Sequence, residues 1–182
     1  GDWSIDQLKR RREELAWTRS AKIELPQDFT TDIPASEAIW LYKAGVGSAI
    51  AKHYKFGYSP SLRRVILPIY KDGVLQGYTA RSTINERPKY IEKVASPTAT
   101  VFVADPSVAL AWPDDGLLGT VPDVLLCEDI LSAVRVGRHV RTCYALLGTS
   151  ATADNFALIP AGAKVGVWLD PDKAGTKGAK AI

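Results

Sequence analysis

From residue 124 onward the chain alternates short apolar runs with segments of helical pattern, and this alternation constrains the fold more than any other feature. Apolar runs of strand type cover residues 124–127, 143–147 and 164–169, and helical patterns cover residues 128–137 and 152–159. Strands that alternate with helices are joined by right-handed crossovers into a parallel sheet. The pattern therefore predicts a β-α-β-α-β lobe.

The preceding part of the chain has a different pattern. A capped helix is predicted from Ser4, and short helices are predicted at residues 35–43 and 47–54. Further on, two strand-like runs flank Lys71-Asp72-Gly73, and Asp-Gly tolerates the positive φ that a tight hairpin needs. We therefore expect helices followed by antiparallel strands.

Together these patterns predict an α/β protein of two lobes. An α+β lobe would span residues 1–112, and the lobe with parallel strands would span residues 113–182, after a loop that begins at Pro113. The helical pattern from Lys177 stops at Ile182, so we expect the second lobe to be truncated at its C-terminus.

Composition limits the possible functions. Apolar residues make up 46% of the 182 residues, charged residues 24%, and the net charge of +3 is compatible with a polyanionic partner. Cys127 and Cys143 lie in apolar runs, which favours buried thiols in a reducing compartment. The two cysteines and two histidines are too scattered for a zinc site. No run is apolar enough to span a bilayer, so we expect a cytoplasmic protein without membrane contact.

Acidic residues follow two of the predicted parallel strands. Asp170 and Asp172 follow the last strand, and Glu128 follows the first. Residues at the carboxyl ends of parallel strands face one crevice, and three carboxylates there would repel unless a cation neutralised them. This favours a site for a divalent cation with oxygen ligands, whereas the alternative is a solvated Asp-Pro turn. Asp129 is expected to cap the following helix.

The segments VLLCEDILSA and VWLDPDKAG, with ALLGT between them, resemble the TOPRIM fold. Members of that family carry a Glu after one strand and Asp-x-Asp after a later one, and these residues hold magnesium for phosphoryl transfer. The resemblance implies that Glu128, Asp170 and Asp172 are catalytic residues and ligands of Mg²⁺ or Mn²⁺. The sequence departs from the family pattern at Asp129 and Ser132, where the family has glycine and a carboxylate.

The first lobe narrows the resemblance. The run GYSP, then RRVILPIYKDGVLQGYTAR and RPKYI, is similar to the polymerase domain of bacterial and phage DNA primases, and most like phage primase-helicases. The matching positions are Arg64, Pro68, Ile69, Gly77, Arg81, Pro88, Lys89 and Tyr90. The resemblance implies template-directed synthesis of short RNA primers on single-stranded DNA from ribonucleoside triphosphates. Arg64, Arg81 and Lys89 would then bind nucleotide or DNA.

The resemblance also implies partners outside this chain, namely a zinc-binding module and a replicative helicase, fused or separate. Two other functions stay open. One is phosphodiester cleavage by a TOPRIM nuclease or topoisomerase-like enzyme, and the other is a catalytically silent nucleic-acid-binding module. Without the resemblance, Arg81 and Lys89 would be interpreted as solvated strand charges.

Overall fold

The structure, a computed structural model, describes residues 23–84, 86–105, 107 and 122–182. The helix predicted from Ser4 and the boundary predicted between residues 112 and 113 lie outside the described residues.

The first sheet is antiparallel and follows two short helices. Its strand order is β1-β2-β3-β4. In chain order the elements are α1 (Ala35–Lys43), α2 (Ser48–His53), β1 (Gly57–Ser59), β2 (Arg64–Lys71), β3 (Val74–Arg81) and β4 (Tyr90–Val94). Both predicted helices are present at the predicted places.

The predicted hairpin joins β2 to β3. Asp72 and Gly73 have φ values of 51° and 78°, and Lys71 pairs with Val74 across the turn. Two successive positive φ values give a turn whose twist matches that of the flanking strands, which is why Asp-Gly occurs here.

The second sheet has the strand order β5-β7-β6-β8. In chain order the elements are β5 (Phe102–Ala104), β6 (Val124–Cys127), α3 (Ile130–Gly137), β7 (Thr142–Ala145), α4 (Ala153–Phe156), β8 (Val165–Trp168) and α5 (Lys173–Ala181). Strand β6 runs parallel to both β7 and β8, which confirms the mixed α/β fold with parallel strands.

Strand β5 lies in the segment that the sequence placed in the first lobe, but it belongs to the second sheet. It pairs antiparallel with β7, through Phe102 and Ala145 at one end. The second sheet therefore includes a strand from before residue 113, where the sequence patterns placed the start of the second lobe.

One buried cluster joins the two sheets. It contains Val65 and Leu67 from β2, Leu125 and Cys127 from β6, and side chains from α1, α2 and α3. This shared core holds β2, and through sheet pairing also β3 and β4, beside the carboxyl end of β6, where the candidate site lies. Within the described residues, no helix has the length and apolar character needed to cross a membrane.

Candidate metal and nucleotide site

The ends of β6 and β8 bring Glu128 and Asp170 together. Cys127 and Trp168 are partners in the parallel register, so the residues that follow them leave the sheet side by side. The backbone N–H of Asp170 donates to Oε2 of Glu128 at 3.2 Å, across 42 positions of sequence. Glu128 and Asp170, two of the three acidic residues expected to converge at this edge, are therefore in contact.

Asp172 immediately precedes α5 and is its N-cap. Its Oδ1 accepts a hydrogen bond from the N–H of Gly175 at 2.7 Å. Gly175 is buried against Asp170, and a methyl group there would collide with the carbonyl oxygen of Asp170. The first turn of α5 therefore sits directly on the strand-end loop that carries both aspartates.

The surroundings of Glu128 disfavour the negatively charged form of its carboxyl group. Burial raises the pKa of its carboxyl, and the negative charges of Asp170, Asp172 and Asp129 raise it further, while the hydrogen bond from the Asp170 amide lowers it. A raised pKa means that the ionised form is costly here. A bound cation would remove that cost.

Asp129 caps α3, as expected. Its Oδ1 accepts from the N–H groups of Leu131 at 2.8 Å and Ser132 at 3.1 Å, and its Oδ2 accepts from Oγ of Ser132 at 2.7 Å. The two positions that depart from the family pattern thus bond to each other, and this capping role accounts for both of them.

The acidic side chains suit a hard cation, but in the described residues they do not form a complete metal-coordination site. Carboxylate oxygens are the ligands that Mg²⁺ prefers, and Glu128 and Asp170 carry them at the ends of two neighbouring strands. One oxygen of Asp172 is occupied by the helix cap. Among the described residues, no three His, Cys, Asp or Glu side chains are arranged to hold a metal ion as they stand. A metal at this edge is accordingly a proposal based on the donors.

A cavity of about 210 Å³ faces this acidic edge from the first sheet. Lys89 and Glu92 line it on one side, and Glu128 and Asp170 line it on the other. Enclosure raises the pKa of Glu92, although the residue as a whole is exposed. The cavity therefore combines a cation from one lobe with carboxylates from both.

Arg81 lies beside this cavity with its guanidinium stacked on an aromatic ring. Its Cζ is 3.9 Å from the centroid of the Tyr90 ring and 5.7 Å from that of Trp40. Burial lowers the pKa of Arg81, and the charges of Asp129 and Asp170 raise it, but guanidinium stays protonated in proteins. Its Nε and Nη1 are buried, and neither has a hydrogen-bond partner among the described residues. These two donors are suited to an anionic ligand.

Arg64 and Lys89 have unequal roles in the structure. Arg64 is only 4% exposed, and its Nη1 donates to the backbone carbonyl of Lys89 at 3.3 Å. Lys89 is exposed, with Nζ 5.9 Å from the Tyr90 ring centroid. This placement favours a positioning role for Arg64 over the direct ligand contact that the sequence predicted.

A second, larger cavity adjoins the first through Lys89. It has a volume of about 820 Å³, and Trp40, Arg81, Arg87 and Lys89 are among its lining residues. Lys89 lines both cavities. The site thus consists of an acidic cavity and a basic, partly aromatic cavity.

Sequence reasoning gave no role to Trp40, Tyr90 or Glu92. Tyr90 and Glu92 lie on the same face of β4, because residues two apart in a strand point the same way. That alternation, applied from Tyr90, a position that matches the primase pattern, was the available signal for Glu92. Trp40 comes from a helix distant in sequence, and no local pattern connects it to Arg81.

No family model and no curated protein matches the chain. Solved structures do. The chain is similar to the DnaG catalytic core at 20% identity and a TM-score of 0.57, with 82% of this chain and 59% of that chain covered. It is also similar to the DnaG primase catalytic domain bound to ssDNA, at 20% identity and a TM-score of 0.56, covering 95% and 66%. The chain has the fold of a primase catalytic core.

The RNA polymerase domain of Mycobacterium tuberculosis primase DnaG has the same core, at 15% identity and a TM-score of 0.59, with 96% of this chain and 70% of that chain covered. TM-scores of 0.56 to 0.59 show a shared fold, and identities of 15% to 20% leave the chemistry to be argued from the residues. The chain spans 59% of the first of these solved chains. A specific kinship with phage primase-helicases stays a prediction from sequence.

Proposed function

We propose that the chain is the RNA-polymerase domain of a DNA primase, which makes short RNA primers on single-stranded DNA by metal-dependent nucleotidyl transfer. One observation carries the proposal. On a primase-core fold, Glu128 contacts Asp170 at the strand edge, and Lys89 from the other lobe lines the same cavity.

The chain's own residues can divide the work of that reaction. Glu128, Asp170 and Asp172 would hold Mg²⁺ or Mn²⁺, which stabilises negative charge on attacking and leaving oxygens. Arg81 and Lys89 would bind the phosphates of the incoming ribonucleoside triphosphate or of the template, Arg81 through its two unpartnered donors. In an alternative assignment, Asp170 and Asp172 would hold the metal, and Glu128 would take the proton of the attacking 3′-hydroxyl in place of ligating the metal.

The template would be single-stranded DNA, since one of the similar domains is described as bound to ssDNA. The basic cavity lined by Trp40, Arg81, Arg87 and Lys89 has the charge and the aromatic ring that single strands require. A replicative helicase and a zinc-binding module outside this chain, and a cytoplasmic location, are parts of the same proposal.

The test combines primer synthesis with metal binding. The chain is incubated with single-stranded template, ribonucleoside triphosphates and Mg²⁺ or Mn²⁺, and Mn²⁺ binding is measured by electron paramagnetic resonance. We expect short RNA products and a Mn²⁺ affinity that falls at least tenfold in Asp170→Asn. Asp154→Asn, an exposed residue of α4, is the matched control and should retain both.

Other outcomes have definite meanings. Nicked or shortened DNA would indicate the phosphodiester-cleaving alternative. DNA binding without RNA synthesis, together with Mn²⁺ affinity that is unchanged in Asp170→Asn, would indicate a silent binding module and contradict the metal site.

A further inference from the structure

Tyr90 contacts both of the cations to which the proposed function assigns phosphate binding. We propose that Tyr90 is a positioning residue whose ring fixes Arg81 and Lys89 so that their N–H donors meet the phosphates of a bound polyphosphate. The inference rests on the proposed function for its biological meaning, but it can be tested on anion binding alone.

The arrangement follows from strand register. Arg81 at the end of β3 and Tyr90 at the start of β4 are partners across the antiparallel pair. Cross-strand partners have side chains on the same face and within reach of each other. The guanidinium carbon of Arg81 consequently lies 3.9 Å from the Tyr90 ring centroid, which is stacking distance.

Stacking determines which part of the guanidinium remains available. The ring face attracts the cation and covers one side of its plane, while all N–H donors of the guanidinium lie in that plane. Trp40, whose ring centroid is 5.7 Å from Cζ, adds a second aromatic neighbour. Within the described part of the chain, Nε and Nη1 are buried and have no hydrogen-bond partner, so these two in-plane donors are enclosed and unsatisfied. An oxyanion is the ligand that would satisfy them.

Lys89 adds a second cation to the same ring. Its Nζ is 5.9 Å from the Tyr90 centroid, and its backbone carbonyl is held by Arg64 at 3.3 Å. Tyr90 therefore links a planar donor with a point charge, and it lines the cavity that contains Glu128 and Asp170. A polyphosphate could contact both cations at once.

Packing alone does not account for this ring. Tyr90 is 44% exposed and occupies the edge strand β4, where a ring that served only the core would be covered. Tyr42 on α1 offers a comparison, since it is 74% exposed and no cation from the described residues lies over its ring.

The test compares Tyr90→Leu with Tyr90→Phe, with inorganic tripolyphosphate as the probe and isothermal titration calorimetry as the measurement. Tyr90→Phe keeps the ring and should bind within about twofold of the unaltered chain. Tyr90→Leu should bind about five- to tenfold more weakly, the range expected for loss of a partly desolvated cation–π contact. Tyr42→Leu is the control and should leave the affinity unchanged.

A second measurement separates positioning from folding. The effect of Tyr90→Leu on the logarithm of the tripolyphosphate affinity is measured again in an Arg81→Gln background. It should fall to at most half of its original size, because the cation that stacks on the ring is already gone. An undiminished effect there, a Phe variant as weak as Leu, or a Leu variant with normal affinity would each overturn the inference. Failure of primer synthesis with this coupling intact would contradict the proposed function and leave the positioning role standing.

Discussion

Two neighbouring arginines at the start of β2 show how differently one residue type behaves in this protein. Arg64 is 4% exposed and supports the carbonyl of Lys89. The side chain of Arg63 is 63% exposed and pairs with Glu86 at 2.9 Å. Exposed ion pairs contribute little because water and salt screen them, whereas a buried hydrogen bond is costly to break.

We predict a large difference between Arg64→Gln and Arg63→Gln. The Arg64 variant should lose about 1–3 kcal/mol of the free energy of unfolding, since the buried, charged guanidinium and its hydrogen bond to the Lys89 carbonyl are both lost. The Arg63 variant should stay within about 1 kcal/mol of the unaltered chain. Urea unfolding measures both, and equal losses would show that Arg64 has no special role in holding Lys89.

Glu128 gives a prediction about pH. Its pKa is raised above the ordinary value of 4.5, so the folded state binds its proton more readily than the unfolded state does. Such a group destabilises the fold progressively as pH rises above that ordinary value, and the penalty persists at neutral pH. Glu128→Gln carries no charge and should therefore melt higher at pH 7, by about 1–4 °C, with the difference vanishing near pH 3.

Thermal unfolding without divalent metal, at pH 3 and pH 7, measures this effect of Glu128→Gln. Asp154→Asn, on exposed α4, should not raise the melting temperature. A Glu128 variant that melts lower than the unaltered chain at pH 7 would mean that the hydrogen bond with the Asp170 amide outweighs the charge repulsion.

At the residue scale, the pairing of Glu128 with Asp170 was predictable from the sequence. The environments of Arg64 and Arg81 were not. Glu128 and Asp170 each follow a strand with a recognisable local pattern, and parallel pairing brings strand ends together. The burial of Arg64 and the stacking of Arg81 on Tyr90 depend on how β2, β3 and β4 pair and pack. Alternation along a single strand does not contain that information.

Among the elements, α5 has the closest connection to the site. Its cap is Asp172, and its buried Gly175 lies against the carbonyl of Asp170, where a side chain has no room. The helix start and the acidic loop are consequently one packing unit. The small residues after Asp172 are readable in the sequence as a helix start, but the close approach to Asp170 is visible only in three dimensions.

Gly175→Ala should disturb this unit. The added methyl group would push the first turn of α5 away from Asp170, at a cost of about 1–3 kcal/mol in stability, and it would weaken Mn²⁺ binding several-fold. Thr176→Ala, at an exposed position of the same helix, should keep stability and metal affinity. Loss of stability with unchanged Mn²⁺ affinity in the Gly175 variant would show that α5 does not set the positions of the aspartates.

Strand β5 shows where element-level prediction reached its limit. Its three residues were recognisable as an apolar run, yet they carry no local sign of which sheet they join. The pairing with β7 is decided by the shared core, in which Phe102 lies 5.1 Å from Tyr54, ring centroid to ring centroid. Short apolar runs acquire their partners from tertiary packing.

At the scale of the whole molecule, the two sheets share one core. The buried cluster includes Val65 and Leu67 from the first sheet together with Leu125 and Cys127 from the second. Tyr54 adds a polar link, since its hydroxyl accepts from the N–H of Asp105 at 2.8 Å, just past β5. Neither sheet can lose its structure without exposing apolar surface of the other.

We therefore predict that the described part of the chain unfolds in one cooperative transition. Trp40 on α1 and Trp168 at the end of β8 report on the two sheets separately, provided that each is the single tryptophan of its own variant and the rest are phenylalanine. Their fluorescence should give the same urea midpoint, because domains that share a core unfold as a unit. Leu67→Ala, which removes a buried side chain of β2, should lower both midpoints equally. If the Trp168 midpoint stays in place while the Trp40 midpoint falls, the lobes unfold independently, and the site between them would then be assembled by ligand binding and not by the core.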